Sequence, residues 1–272
     1  MFSEDPPARV GHRICTVTAH LRAVEQAIVS MSERLDEDLS LEDLARVAIM
    51  SPYHFNRVFH EVTGIPPSQF LYALRLEMAK RLLLTTQFNV TDVCYEVGYN
   101  SLGTFTRRFT RLVGVPPGQL RRLASLLDRC YLETLLDRCS GSPCNDAAPG
   151  PGISGRIKIY KDFYDIIFVG LYPTRIPQGR PIGCALLTAQ GSYRIAPVPE
   201  GRYHVIAAAL SWSDDLDPMK YLLLHDAPRG EIGPLSIAGD RVTDCGDLVL
   251  RPARLTDPPI LVALSLLLNK RQ

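Results

Sequence analysis

Two clusters of hydrogen-bonding and cationic side chains recur about fifty residues apart in the 272-residue sequence. The first is Tyr53, His54, Asn56, Arg57 and His60; the second is Thr104, Thr106, Arg107, Arg108 and Arg111. Each shares a helix-length segment with an apolar stripe: Phe55, Val58, Phe59 and Val62 in one, Phe105 and Phe109 in the other. Helical spacing then puts the polar residues on the opposite, outward face. Arginine can grip a guanine edge with two hydrogen bonds, asparagine an adenine edge, and any of these cations can neutralise a phosphate. The chemistry offered is recognition of duplex nucleic acid. The chain lacks a Walker loop, an HExxH and a GxSxG motif, so no catalytic set, cofactor or metal site is expected and the chain reads as no enzyme.

The net charge of +1 hides an uneven distribution. Between Arg57 and Arg122 nine cations stand against four anions, whereas between Glu25 and Asp43 seven anions stand against Arg34 alone. A local basic surface is what a phosphate backbone requires. The hydrophobic fraction of 46% supports a globular core. No apolar run is long enough for a membrane span and no signal peptide is recognisable, so a cytoplasmic location is expected. The seven cysteines are odd in number and irregular in spacing, which reads as free thiols.

The elements that must position these side chains form an internal repeat at an offset of 50 residues: Val47 with Val97, Ser51 with Ser101, Phe55 with Phe105, Arg57 with Arg107, Phe59 with Phe109, Gly64 with Gly114, and Pro66-Pro67 with Pro116-Pro117. Each copy reads as helix, tight turn, helix. Ser40 with Asp43 has the form of a capping box ahead of Leu41, Leu44 and Val47. Asn89 or Thr91 opens the matching helix of the second copy. Ser51-Pro52 starts the helix over 52–62, and Ser101 the one over Leu102–Val113. Gly64 and Gly114 end them. Phe70, Leu71, Leu74, Met78 and Leu82 mark one face of a connecting helix over 68–85, a rod of about 27 Å. Leu21, Val24, Ile28, Met31 and Leu35 mark a helix before the first copy, and a short one follows near 117–123. In a helix-turn-helix the second helix enters the major groove, and two such units suit successive grooves about 34 Å apart.

The pattern resembles the DNA-binding domain of the AraC/XylS family of bacterial regulators. The residues that carry it are Ser51-Pro52-Tyr53-His54-Phe55-Asn56-Arg57-Val58-Phe59 with Gly64-Ile65-Pro66-Pro67. In the second copy they are Asp92-Val93-Cys94-Tyr95-Glu96-Val97-Gly98-Tyr99, Phe105-Thr106-Arg107-Arg108-Phe109 and Gly114-Val115-Pro116-Pro117. The resemblance implies that Tyr53, Asn56 and Arg57 face bases, as do Leu102, Gly103, Thr104, Thr106 and Arg107 of the second copy. Leu102 and Gly103 offer no side-chain hydrogen bonds where the family often has polar residues, so the second unit is expected to lean more on phosphates. Cys94 stands where a small alanine is usual and reads as core.

After residue 125 the composition changes. The run Leu126-Leu127-Asp128-Arg129-Cys130 returns as Leu135-Leu136-Asp137-Arg138-Cys139 and suggests a short amphipathic helix. A Pro/Gly/Ser linker follows. Cys130, Cys139 and Cys144 lack metal-ligand spacing and read as spare thiols. Gly150-Pro151-Gly152-Ile153-Ser154-Gly155 has the letters of a dinucleotide fingerprint in the wrong context. Beyond it, strands are expected at 157–160, 166–172, 184–188, 193–196, 203–210, 235–237, 247–251 and 260–267, an antiparallel β-sandwich. The alternation from Tyr193 and Ile195 through Pro197 and Pro199 to Tyr203, Val205 and Ala207 resembles a transthyretin-like or carboxypeptidase-regulatory sandwich. His204 and His225 have no obvious partners in sequence. Asp214, Asp215 and Asp217 read as a solvated loop.

The expected protein is thus multidomain α and β. It has a tail at 1–16, an all-α tandem helix-turn-helix domain at 17–125, a linker at 126–155 and a β-sandwich at 156–272 for an effector or assembly. It reads as a transcription regulator, an activator in keeping with the family, with promoter DNA and RNA polymerase as partners. A small-molecule effector and a second copy of the chain are open as further partners. Two other readings stay open: an adaptor whose sandwich binds a protein, and an enzyme fused to a DNA-binding domain.

Overall fold

The computed structural model describes residues 7–126, 150–159, 166–210, 222–239 and 241–262. The expected helix around 126–139, the thiols Cys130, Cys139 and Cys144, and the acidic run from Asp214 to Asp217 lie outside them. Among the described residues seven helices come first: α1 (Pro7–Glu33), α2 (Leu41–Val47), α3 (Pro52–Thr63), α4 (Pro67–Thr85), α5 (Val90–Glu96), α6 (Leu102–Val113) and α7 (Pro117–Leu126). Seven strands follow: β1 (Gly152–Ile159), β2 (Ile166–Tyr172), β3 (Gly183–Leu187), β4 (Ser192–Ile195), β5 (Gly201–Leu210), β6 (Arg229–Ile237) and β7 (Val242–Leu250). Among the described residues no helix is long and apolar enough to cross a membrane. The chain divides into two compact units at a boundary within α4: one ends at Arg75 and includes Arg254–Pro258, the other runs over Leu76–Ala253 and resumes at Pro259.

In the first unit the local signals act as expected. The Ser40 hydroxyl accepts from the Asp43 amide while the Asp43 carboxylate accepts from the Ser40 amide, a closed capping box. The Ser40 hydroxyl also donates to the Asp43 carboxylate at 2.6 Å, and this bond, with that from the Ser40 amide, holds the Asp43 carboxyl below the usual carboxylate range. Ser51 caps α3, and Gly64, left-handed at φ 75°, ends it. The core joins Val24, Ala27, Ile28 and Met31 of α1, Leu44 and Ala45 of α2, Phe55, Val58 and Phe59 of α3, and Phe70 of α4, all buried. The Phe59 ring meets the Phe70 ring edge-on at 5.5 Å. Leu21 departs from its expected stripe and is 38% exposed.

The second unit repeats this plan. Asn89, rather than Thr91, caps α5 in a capping box with Asp92. Val93, Cys94, Val97, Phe105, Phe109 and Leu120 are buried. Within α4 the expected face fails beyond Leu71: Ala73, Leu76, Ala79, Lys80 and Leu83 are buried, while Leu74, Met78 and Leu82 are half-buried. Apolar residues lie all round this helix, so size and neighbours, not hydrophobicity, choose its inner face.

The repeat is also not of one offset. The N-caps Ser40 and Asn89 are 49 apart, as are the buried pairs Leu44 and Val93, Ala45 and Cys94, and Ala48 and Val97. The N-caps Ser51 and Ser101 of α3 and α6 are 50 apart. Asn100 is therefore an extra residue in the second turn, and the expected match of Val47 to Val97 is an accident of identity. Val47 is half-buried and Ala48 takes the inner position.

The strands form two sheets, ordered β4-β1-β7 and β3-β2-β5-β6. All pairings are antiparallel except β1 with β7, which run parallel. These first and last strands have no hairpin between them, and a parallel neighbour needs a long crossover, supplied here by the other sheet. One core joins both sheets: Ile153, Ile157, Ile167, Val169, Leu171, Tyr193, Ile195, Tyr203, Val205, Ala207, Leu248 and Leu250. The expected alternation around the Pro-bracketed turn thus points inward. β2 is buried along its whole length, as its unbroken apolar run Ile-Ile-Phe-Val-Gly-Leu-Tyr requires. Residues 260–262 are not strand, and the rest of that expected strand lies outside the described residues. The Gly150–Gly155 run leads into β1 and not into a helix, which disposes of the dinucleotide fingerprint.

Candidate nucleic-acid interface

The outward face of α3 carries Tyr53, 84% exposed, with Asn56, Arg57 and His60 also exposed. The Arg57 guanidinium donates to Glu61 Oε1 at 3.2 Å and lies 3.2 Å from Nδ1 of His54. This exposed i,i+4 ion pair is worth well under ~1 kcal/mol and yields to a stronger anion. His54 is half-buried and its ring meets that of His20 edge-on at 5.6 Å. It holds Arg57 from within the protein.

The outward face of α6 carries Leu102, Gly103, Thr104, Arg107 and Arg111, all exposed, with Thr106 and Arg108 half-buried. Leu102, Gly103, Thr106, Arg107, Thr110 and Arg111 line one open depression. A Cβ at Gly103 would meet only the Ser101 hydroxyl oxygen, at 3.9 Å, so nothing in the protein excludes a side chain there. The Arg108 guanidinium lies 6.0 Å from the Tyr99 ring centre, a cation–π distance. The four phenylalanines of the two stripes, Phe55, Phe59, Phe105 and Phe109, are wholly buried and serve as core. Cys94 is core too: its thiol points at the Tyr99 carbonyl 3.6 Å away, and burial pushes its pKa up, which makes it a poor nucleophile.

Three of the nine cations that made the segment look basic do other work. Arg75 donates through Nε to the Leu35 carbonyl at 2.8 Å and through Nη2 to the Glu37 carbonyl at 2.6 Å. Arg121 does the same for Leu83 at 2.9 Å and for Phe88. Arg75 thus holds two carbonyls of the turn that follows α1, and Arg121 one carbonyl in the last turn of α4 and one just past it; each turn leads into the first helix of a helix-turn-helix. Lys80 is wholly buried. Sequence periodicity gave no sign of these roles, which depend on carbonyls 33–40 residues away in the chain.

In the β-rich part the two histidines do have partners. His204 Nδ1 lies 2.9 Å from Glu231 Oε1, whose other oxygen accepts from Arg175 Nε at 2.7 Å. His225 Nε2 lies 2.8 Å from the carboxylate of Asp226. Among the described residues no group of three or more His, Cys, Asp or Glu gathers as metal ligands do.

With this geometry in view, the family described as "Helix-turn-helix domain" matches residues 44–123, from within α2 into α7. Residues 44–123 form a helix-turn-helix domain. Similar chains include the transcriptional regulator YbfP of Bacillus subtilis, 30% identical over 41% of this chain and 39% of that one. A Haemophilus influenzae HTH-type regulator is 32% identical over 39% of this chain and 35% of its own. This chain thus spans well under half the length of these relatives. A solved structure of the AdpA DNA-binding domain in complex with a target DNA is 32% identical, covering 37% of this chain and 90% of that one, with a TM-score of 0.35.

Proposed function

We propose that this protein is a sequence-specific DNA-binding transcription regulator whose AraC-type domain reads a promoter with α3 and α6 in successive major grooves. Tyr53, Asn56 and Arg57 face bases in one half-site, with His54 orienting Arg57. Leu102, Gly103, Thr104, Thr106 and Arg107 face bases in the other, with Arg108 and Arg111 on phosphates. The observation that carries this reading is the pair of capped, core-anchored helices whose outward faces hold the bonding and cationic side chains while every aromatic of their stripes is buried. The DNA-reading part spans 17–125, and the β-rich part at 156–272 serves an effector or assembly. The protein is not an enzyme, acts in the cytoplasm as an activator, and works through RNA polymerase. Selection of duplexes from a random-sequence library by the purified chain tests the reading. Enrichment of one motif supports it; no enrichment over bare matrix removes it.

A further inference from the structure

We propose that the loop joining β2 to β3, residues 173–182, is a positioning element for α6, so that the β-rich part belongs to the second DNA-reading head. The proposal deepens the DNA-binding reading and rests on it. The last carbonyls of a helix have no partner within the helix. At the end of α6 the Leu112 carbonyl accepts from the backbone amide of Gly179, which the β-rich part supplies. Gly179 is left-handed at φ +63°, and a Cβ there would lie 3.0 Å from the Arg111 carbonyl oxygen. Both the backbone conformation and the close approach demand glycine.

The loop is braced on both sides. At its base, Arg175 is held by Glu231 of β6, and Glu231 by His204 of β5. Ile176 beside it is 1% exposed. On the far side the Pro177 carbonyl accepts from the amides of Leu261 and Val262, at 3.0 and 3.3 Å. The carbonyl of the preceding residue, Ile260, accepts from Nζ of Lys80 on α4 at 3.3 Å. A continuous set of hydrogen bonds thus runs from the sheet through the loop to α6, and from the loop through 260–262 to α4. Arg107 and Arg111 lie within the last turns of the helix that this loop holds. A tilt of α6 about its first turn moves these guanidinium groups most, and base recognition tolerates little displacement.

The test uses the full chain with Gly179→Val, Glu231→Ala and Glu231→Gln, on a duplex enriched from a random-sequence library by the wild-type protein. Missing-base interference separates the bases read by α3 from those read by α6. The expected result for Gly179→Val is a roughly tenfold loss of affinity confined to the α6 half-site. Glu231→Ala acts in the same direction, and Glu231→Gln, which keeps an oxygen for Arg175, stays near wild type. Amide hydrogen exchange is expected to be slow at Gly179 in the wild type and faster over the last turn of α6 in Gly179→Val. An unchanged interference pattern in Gly179→Val overturns the proposal. Should that variant lose both half-sites through general unfolding, the glutamate pair decides, and equal binding by Glu231→Ala and Glu231→Gln overturns it. If the wild type enriches no duplex, the DNA reading is what fails; fast exchange at Gly179 overturns the contact itself.

Discussion

Nζ of Lys80 lies 3.3 Å from the carbonyl oxygen of Ile260, and the lysine is wholly buried. Burial pushes its pKa down from the usual 10.5 to about 8, with Glu77 opposing the shift. Below about pH 8 both folded and unfolded chains carry the proton, and the folded state bears the full cost of a buried cation. Between about 8 and 10.5 the folded chain has released a proton that the unfolded chain still binds, so stability rises with pH by up to about 1.4 kcal/mol per pH unit from this group. Urea midpoints of wild type and Lys80→Met at pH 7, 9 and 10 check this. The variant is expected to be the more stable at pH 7 and to lose the upward slope; parallel profiles contradict it.

Ile49 takes a left-handed conformation at φ 54° in the turn between α2 and α3, where the second turn has Gly98 at φ 76°. A β-branched residue there costs about 1–2 kcal/mol, of which glycine's greater freedom when unfolded takes back part. Ile49 is 92% exposed, so its replacement gives up no packing. Ile49→Gly is expected to raise stability by about 0.5–1 kcal/mol, and Gly98→Ile to lower it by more than 1, both read from chemical denaturation. A destabilised Ile49→Gly would show that the side chain is engaged.

Arg111 and Arg121 are both cationic, yet one is exposed on α6 and the other holds the carbonyls of Leu83 and Phe88. Arg111→Ala should reduce the slope of log affinity against log salt by about 1 and leave stability unchanged. Arg121→Ala should leave that slope as it is and lower stability by about 1–3 kcal/mol through orphaned carbonyls. Equal salt slopes in the two variants contradict the division.

What was legible in the sequence was local. Capping serines, terminal glycines and aromatic stripes act within one or two turns, so Ser40, Ser51, Phe55, Phe59, Phe105, Phe109 and Gly114 stand where spacing put them. Fixed-offset matching concealed Asn100, because Val47 and Val97 are identical by letter while Ala48 is the true counterpart of Val97. The inner face of α4, the carbonyl-binding roles of Arg75 and Arg121, the His204–Glu231–Arg175 set and the parallel pairing of β1 with β7 all depend on residues distant in sequence. Among the expected DNA-binding residues, His54, Thr106 and Arg108 are half-buried, and His54 packs against His20, a neighbour that its own helix does not reveal.

The account stands on base recognition by both α3 and α6. Its most direct test is missing-base interference on the selected duplex with wild type, Arg57→Ala and Arg107→Ala. The expected result is two blocks of sensitive bases about 10–10.5 base pairs apart. Each variant should lose one base position in one block, at about 1–3 kcal/mol of specific affinity. A single block, or even losses over all positions from both variants, would contradict it.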